Sequence, residues 1–254
     1  TVRPCVADVD NDGHLDLFTA NYGKNGLFLN RGAGKFVEAS DQWRANADGR
    51  YDSCAFADFD NDGTLDLYVN GTVTGGTSYR DYLYQNTRTS FADVTPDNVK
   101  SLEADHGVEW ADFDNDGDED LALTGTQPKG MHLVMRNMLA ASPSAGWLRV
   151  SVVDARGRQS LAGAEVRLYE PGTRQLIGTR ILDTGSGYNA QNAIPLHFGL
   201  GPRRMVDVEV IAPFRGSRRA ALVRNVDART WAKCALVIRL TGEGAGRTEG
   251  PGCR

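Results

Sequence analysis

A nine-residue acidic pattern occurs three times in this chain: DVDNDGHLD from Asp8 to Asp16, DFDNDGTLD from Asp58 to Asp66, and DFDNDGDED from Asp112 to Asp120. The copies start 50 and then 54 residues apart, each behind an apolar residue and an alanine (Val6-Ala7, Phe56-Ala57, Trp110-Ala111). Each is followed by an alternating stretch beginning at Leu15, Leu65 or Glu119. Apolar, β-branched and aromatic residues in short segments bounded by Gly and Asn predict a strand on both sides of every acidic loop. A third apolar segment ending in Asn recurs at 26–30, 82–86 and 131–137, and a fourth at 36–39 and 91–94. Four short strands per repeat of about 50 residues predict β-propeller blades.

The expected fold is all-β: a partial propeller of about three blades over 1–140, a β-sandwich or small barrel over 147–240, and a Gly-rich tail over 241–254. The boundary lies at the Ser/Pro/Gly-bearing stretch 140–146, beyond which no run longer than ten residues has a helical period. Propellers close with four to eight blades, so missing blades or a partner chain are expected at the open blade face. Thr1 begins inside a blade strand, without initiator Met or apolar leader, which reads as a mature chain or a fragment. The longest apolar stretches, such as 234–238, fall far short of the ~20 residues of a membrane span, and neither a span nor a nucleic-acid partner is expected.

Asp at loop positions 1, 3, 5 and 9, with Gly at position 6, suits a hard cation. Alternate carboxylates converge, the glycine turns the chain, and the carbonyl of residue 7 completes the shell. The expected ligands are Asp8, Asp10, Asp12, His14 (carbonyl) and Asp16; Asp58, Asp60, Asp62, Thr64 (carbonyl) and Asp66; and Asp112, Asp114, Asp116, Asp118 (carbonyl) and Asp120. An all-oxygen, carboxylate-rich set selects calcium, about three ions. The EF-hand alternative needs a bidentate Glu at position 12, where this chain has Thr19, Val69 and Leu123. Residues 1–140 carry 24 acidic against 11 basic side chains, and 141–254 carry 9 against 17. The twelve ligand aspartates account for nearly all of the first excess.

These repeats resemble the FG-GAP or VCBS type, the calcium-loop blades of integrin α-subunit heads and many secreted proteins. In the second half, Gly163-Ala164-Glu165-Val166, Gly185-Ser186-Gly187-Tyr188-Asn189-Ala190-Gln191 and His197-Phe198-Gly199-Leu200-Gly201 resemble the ASPIC/UnbV domain that ends the cartilage acidic proteins and their bacterial relatives. Where such domains carry Trp-Pro-x-Gly, this chain has Ala212-Pro213-Phe214-Arg215-Gly216. The resemblance implies an extracellular or secreted protein (periplasmic or at the cell surface in a bacterium) that binds calcium, engages an extracellular protein or glycan, and has no established catalytic centre.

The residues point the same way on catalysis. Asp183-Thr184-Gly185-Ser186 matches the loop of an aspartic protease, but that chemistry needs two carboxylates sharing a proton and no second D-T-G occurs; a structural turn is expected. His14, His106, His132 and His197 form no i, i+4 pair, and His197 reads as a packed or hydrogen-bonded residue. Arg203, Arg204, Arg215, Arg218 and Arg219 form clusters able to bind a polyanion, or to pair with the acidic propeller. Asn70-Gly71-Thr72 is a glycosylation sequon. Cys5 and Cys54 precede their loops by three and four residues, so strand alternation points them to opposite faces. The expected bridge is therefore Cys234–Cys253, not Cys5–Cys54. The function expected is a non-enzymatic calcium-binding interaction or adhesion module, the alternative being a carbohydrate- or polyanion-binding accessory portion of a larger secreted protein. Calcium is expected to stabilise the first domain and leave the second untouched.

Overall fold

The computed structural model of the chain describes all residues except 101, 103–104, 126–131, 140–145, 186–189, 193, 215, 242–245 and 250–254. Three antiparallel sheets follow one another along the first half. The first blade orders Arg3–Ala7, Asp16–Ala20, Gly26–Asn30 and Phe36–Glu38 side by side. The second orders Asp48–Ala57, Asp66–Gly71, Tyr82–Asn86 and Phe91–Asp93, and Tyr22–Lys24 of the first blade adds to its inner edge. The third has Asp105–Ala111, Asp120–Gly125 and His132–Met135, with no fourth strand among the described residues.

Blades bury both faces, which is why the strand Asp48–Ala57 is buried without interruption from Tyr51 to Ala57 instead of alternating. One face carries Cys54, Phe56, Leu67, Val69, Tyr84 and Phe91 into a core shared with Cys5, Phe18, Leu27 and Trp43 of the first blade. Its other face carries Ala55, Ala57 and Tyr68 onto Val108, Trp110, Leu121 and Leu123 of the third. Trp43 meets Phe91 edge-on at 5.4 Å, and Phe59 stacks on Trp110 at 6.3 Å.

Cys5 and Cys54 form a disulfide with Cα atoms 6.1 Å apart, against expectation. Strand alternation does turn them to opposite sheet faces, but stacked blades meet through opposite faces: Cys5 leaves the first blade toward the second, and Cys54 leaves the second toward the first. The parity that argues against a bridge within one sheet is the parity that a bridge between successive blades requires. Cys234 is also disulfide-bonded, while Cys253, its expected partner, lies outside the described residues.

The second half is a sandwich. One sheet orders Leu196–Gly201, Gly146–Val153, Leu236–Leu240 and Gly246–Glu249; the other orders Leu176–Ile181, Glu165–Tyr169, Met205–Phe214 and Ser217–Asp227. Leu148, Val150, Phe198, Leu200 and Ile238 of the first face Val166, Leu168, Val206, Val208 and Val210 of the second in one core. His197-Phe198-Gly199-Leu200-Gly201 lies on the strand Leu196–Gly201, and one expectation shifts: the Gly-rich tail adds an edge strand at Gly246–Glu249. Ala212, Pro213 and Phe214 end one strand of a hairpin, with Phe214 paired to Ser217 and Gly216 at φ +80°.

Candidate metal centres

Each acidic loop is held by the same set of bonds. Asn at position 4 and Gly at position 6 take left-handed backbone angles: Asn11, Asn61 and Asn115 lie at φ 56°, 58° and 62°, and Gly13, Gly63 and Gly117 at φ 89°, 94° and 97°. Asn and Gly are the residues that tolerate this region. The position-1 carboxylate accepts the position-6 amide (Gly13 to Asp8 at 3.0 Å, Gly63 to Asp58 at 3.1 Å, Gly117 to Asp112 at 3.2 Å). The position-9 carboxylate accepts two backbone amides, one from position 2 and one from the asparagine ending the third strand. For Asp66 these are Phe59 at 3.2 Å and Asn86 at 2.7 Å; Asp16 and Asp120 repeat the arrangement.

Carboxylate oxygens of Asp8, Asp10 and Asp16, of Asp58, Asp60 and Asp62, and of Asp112, Asp114 and Asp120 converge within 4.8 Å in each loop. Burial pushes the Asp8 carboxyl up to about 6, and those of Asp16 and Asp58 to about 7, by stripping water from the charged form. Asp66 rises well above the usual carboxylate range for the same reason. Oδ1 of Asp8, Asp10, Asp58 and Asp112 are buried with no hydrogen-bond partner in the protein. Like charges this close, with oxygens that no donor reaches, fit a hard divalent cation such as calcium. In each loop, ligand-position carboxylates also meet an arginine of their own blade: Arg31 lies 2.6 Å from Asp10 and 2.9 Å from Asp12, Arg88 3.5 Å from Asp62, and Arg136 2.6 Å from Asp114 and 2.9 Å from Asp116.

The loops form a chain. Asn11 Nδ2 donates to Gly63 O of the next loop at 3.2 Å, and Asn61 Nδ2 to Gly117 O at 3.1 Å. The asparagines ending the third strands reach the other way, Asn86 to Val9 O at 2.9 Å and Asn137 to Phe59 O at 2.7 Å. Both sets recur at fixed places in the repeat; their recurrence was the available signal, although only the aspartates read as functional.

The sandwich covers this chain of loops. Arg167 donates to Gly13 O at 3.0 Å. Over the second loop, Arg180 Nη2 and the Gly199 amide reach Asp58 Oδ2 at 3.3 and 3.0 Å, the Gly201 amide reaches Asn61 O at 3.0 Å, and His197 Nε2 lies 2.7 Å from Asn61 Oδ1. Over the third, Arg149 reaches Asp112 at 3.3 Å and Asn115 at 3.0 Å. Asn192 pairs with both Trp110 N–H and Phe56 O, tying the sandwich to two inner strands. His197 is the buried, hydrogen-bonded residue expected; burial first, then Arg180 and Arg149, lowers its imidazole to about 3, which keeps it neutral.

The other expected features fall elsewhere. Arg203 pairs with Glu170, Arg204 with Asp227 and Arg218 with Glu165, while Arg219 stacks over Phe214 and donates to Thr241 O. These four arginines thus have partners in their own domain, and Arg215 lies outside the described residues. The arginines that meet the acidic propeller are Arg149, Arg167 and Arg180, singled out by no local pattern. Asp183 lines a cavity of about 280 Å³ between the domains, and Ser186 lies outside the described residues. Asn70 of the sequon is 0% exposed within a blade strand, which closes it to a glycan in the folded chain. No helix among the described residues is long and apolar enough to cross a membrane.

Residues 8–69 match the model of the FG-GAP-like repeat, and residues 155–229 match that of the ASPIC and UnbV domain. Cartilage acidic protein 1 of Mus musculus is 31% identical over 220 residues, spanning 82% of this chain and 33% of that protein. The Homo sapiens protein is 30% identical over 220 residues and the Xenopus tropicalis protein 28% over 219, with 82% of this chain covered in each case. The chain spans about a third of the length of these relatives.

Proposed function

Because this chain joins an FG-GAP-like repeat to an ASPIC/UnbV domain and is homologous to cartilage acidic protein 1 over 82% of its length, we propose that it is a non-enzymatic, calcium-rigidified interaction module of the extracellular space. The observation that carries the metal reading is the set of buried carboxylate oxygens without a donor at Asp8, Asp10, Asp58 and Asp112. In each loop the four Asp carboxylates at positions 1, 3, 5 and 9 and the carbonyl of residue 7 hold one calcium ion. The ion supplies charge neutralisation and a rigid link between the first two strands of its blade. Disulfide bonding of Cys5, Cys54 and Cys234 supports an oxidising compartment.

The interaction role rests on the first blade. Its outward face leaves Val6 47% and Phe36 50% exposed; the equivalent residues of the second blade, Phe56 and Phe91, are buried against the first. What fits this face is what the first blade offers the second, namely a further blade of the same kind. Elemental analysis of protein equilibrated with calcium and freed of unbound metal tests the cation reading. Close to three ions per chain is the expected result, and zero or one rejects it.

A further inference from the structure

We infer that the sandwich domain is a working part of the metal centres: through Arg167, Arg180 and Arg149, one per loop, and through the Gly199 and Gly201 amides, it holds the loops in their metal-receiving shape, so that cation uptake and domain docking are one linked equilibrium. The inference rests on the metal reading above and extends it to residues outside the acidic repeats.

The contacts carry this in two ways. Most of them grip loop backbone or the position-4 asparagine rather than the carboxylates. Gly13 O, Asn61 O, Asn61 Oδ1 and Asn115 Oδ1 are all taken by the sandwich, and they stand where they do only while Asn61, Asn115 and the following glycines keep left-handed angles. The fit leaves no slack. A Cβ on Gly199 would lie 2.4 Å from Asn61 Cα, and one on Gly117 1.9 Å from the Trp147 indole nitrogen. A loop that opens because its carboxylates repel one another loses this mating surface.

Charge gives the second argument. Each loop meets one guanidinium from its own blade (Arg31, Arg88 or Arg136) and one from the sandwich (Arg167, Arg180 or Arg149). Arg167 shares its charge with Glu165 and the third loop also carries the Asp118 carboxylate, so it is at the second loop that four ligand carboxylates, two guanidiniums and one divalent ion come to zero. At the second loop the side chains of Arg180 and Asp58 are 8% and 0% exposed; a bound ion without Arg180 would leave net negative charge in a dry site, which is costly. Arg180 and the Gly199 amide take Asp58 Oδ2, leaving Oδ1, the oxygen without a donor. The guanidinium and the ion thus have separate atoms to bind.

Linkage is reciprocal, so two measurements on the whole chain test it. In amide exchange followed by NMR, calcium removal is expected to speed exchange of the Gly199 and Gly201 amides at least tenfold, while sandwich-core amides such as those of Val208 and Leu168 change little. In calcium titrations, Gly199→Ala is expected to weaken one of the sites about tenfold, and Arg167→Met, on a different loop and at a half-buried position, to weaken another. Calcium uptake with unchanged Gly199 and Gly201 exchange, or unchanged affinities in both variants, overturns the inference alone. No uptake at all overturns the metal reading and the inference with it.

Discussion

The Asn86 side chain donates from one nitrogen to two carbonyls, Leu65 O at 3.0 Å in its own loop and Val9 O at 2.9 Å in the loop before it. One buried amide therefore fixes both the shape of a loop and the seating of one blade on the next. Asn137 repeats the pattern with Glu119 O and Phe59 O.

Asn86→Ala leaves two carbonyls without their donor, each costing about 1–3 kcal/mol when buried, and is expected to destabilise the chain by about 2–4 kcal/mol. Asn30→Ala frees one carbonyl, Leu15 O, instead of two, and loses the bond from Gly32 N–H just as Asn86→Ala loses that from Arg88 N–H; it is expected to cost about half as much. Denaturant unfolding of the two variants checks this; equal losses would mean that the inter-blade bond contributes nothing.

Peptide mapping without reductant is expected to recover Cys5 joined to Cys54. Cys5→Ser with Cys54→Ser releases a cross-link of sequence separation 49, which costs about 4 kcal/mol on chain-entropy grounds. A drop below about 1 kcal/mol in urea unfolding would contradict this.

The loop carboxylates make the metal-free chain sensitive to base. Asp8, Asp16 and Asp58 are raised to about 6, 7 and 7 by burial, so between pH 4 and 7 the folded chain binds more protons than the unfolded one, and stability falls as pH rises. Asp93 and Asp116, lowered with Arg80 and Arg136 among the causes, pull the other way but lie near solvent, where such pairs contribute little. In chelator the melting temperature is expected to be higher at pH 5 than at pH 8; in excess calcium the order reverses, because the ion binds the ionised form. A chelated protein that gains stability from pH 5 to pH 8 would refute the assignment.

Gly117 and Gly13 share a left-handed backbone, but an added Cβ meets the Trp147 indole nitrogen at 1.9 Å in the first case and Leu176 at 3.4 Å in the second. Gly13→Ala is expected to lose only the backbone preference, roughly 1–2 kcal/mol. Gly117→Ala should lose more and should also free the sandwich from the third loop, read as increased exposure in Trp147 fluorescence. Matching losses with no spectral change would refute the close packing.

The blades were legible because their signal is local: apolar pairs, acidic loops and Asn-terminated segments recur within each repeat, and each maps onto a strand or loop of one sheet. The site was legible only where the same held. The aspartates share a nine-residue window, whereas Arg180 meets Asp58 from 122 residues away and Arg167 meets Gly13 from 154, and no periodicity marks contacts so distant. The basic excess of the second half foreshadowed a pairing of the two halves without saying which arginines carry it. Cys5 and Cys54 went wrong for a different reason: alternation gives the face of one sheet correctly, while the partner across the bridge belongs to another sheet stacked against it. The contacts by which the sandwich rests on the loops, such as Gly199 to Asp58 and Gly201 to Asn61, were hidden for the same reason.

The bond between Cys5 and Cys54 also decides how the molecule answers a pull on its ends. Tension entering at the N-terminus crosses from residue 5 to residue 54 through sulfur and bypasses everything between, including the first acidic loop. At up to ~3.4 Å per extended residue, the enclosed separation of 49 residues represents roughly 160 Å of slack that stays stored until a reductant opens it. While the disulfide is intact the first blade is thus a fixed-length link under load, and stretching begins with the blades beyond it.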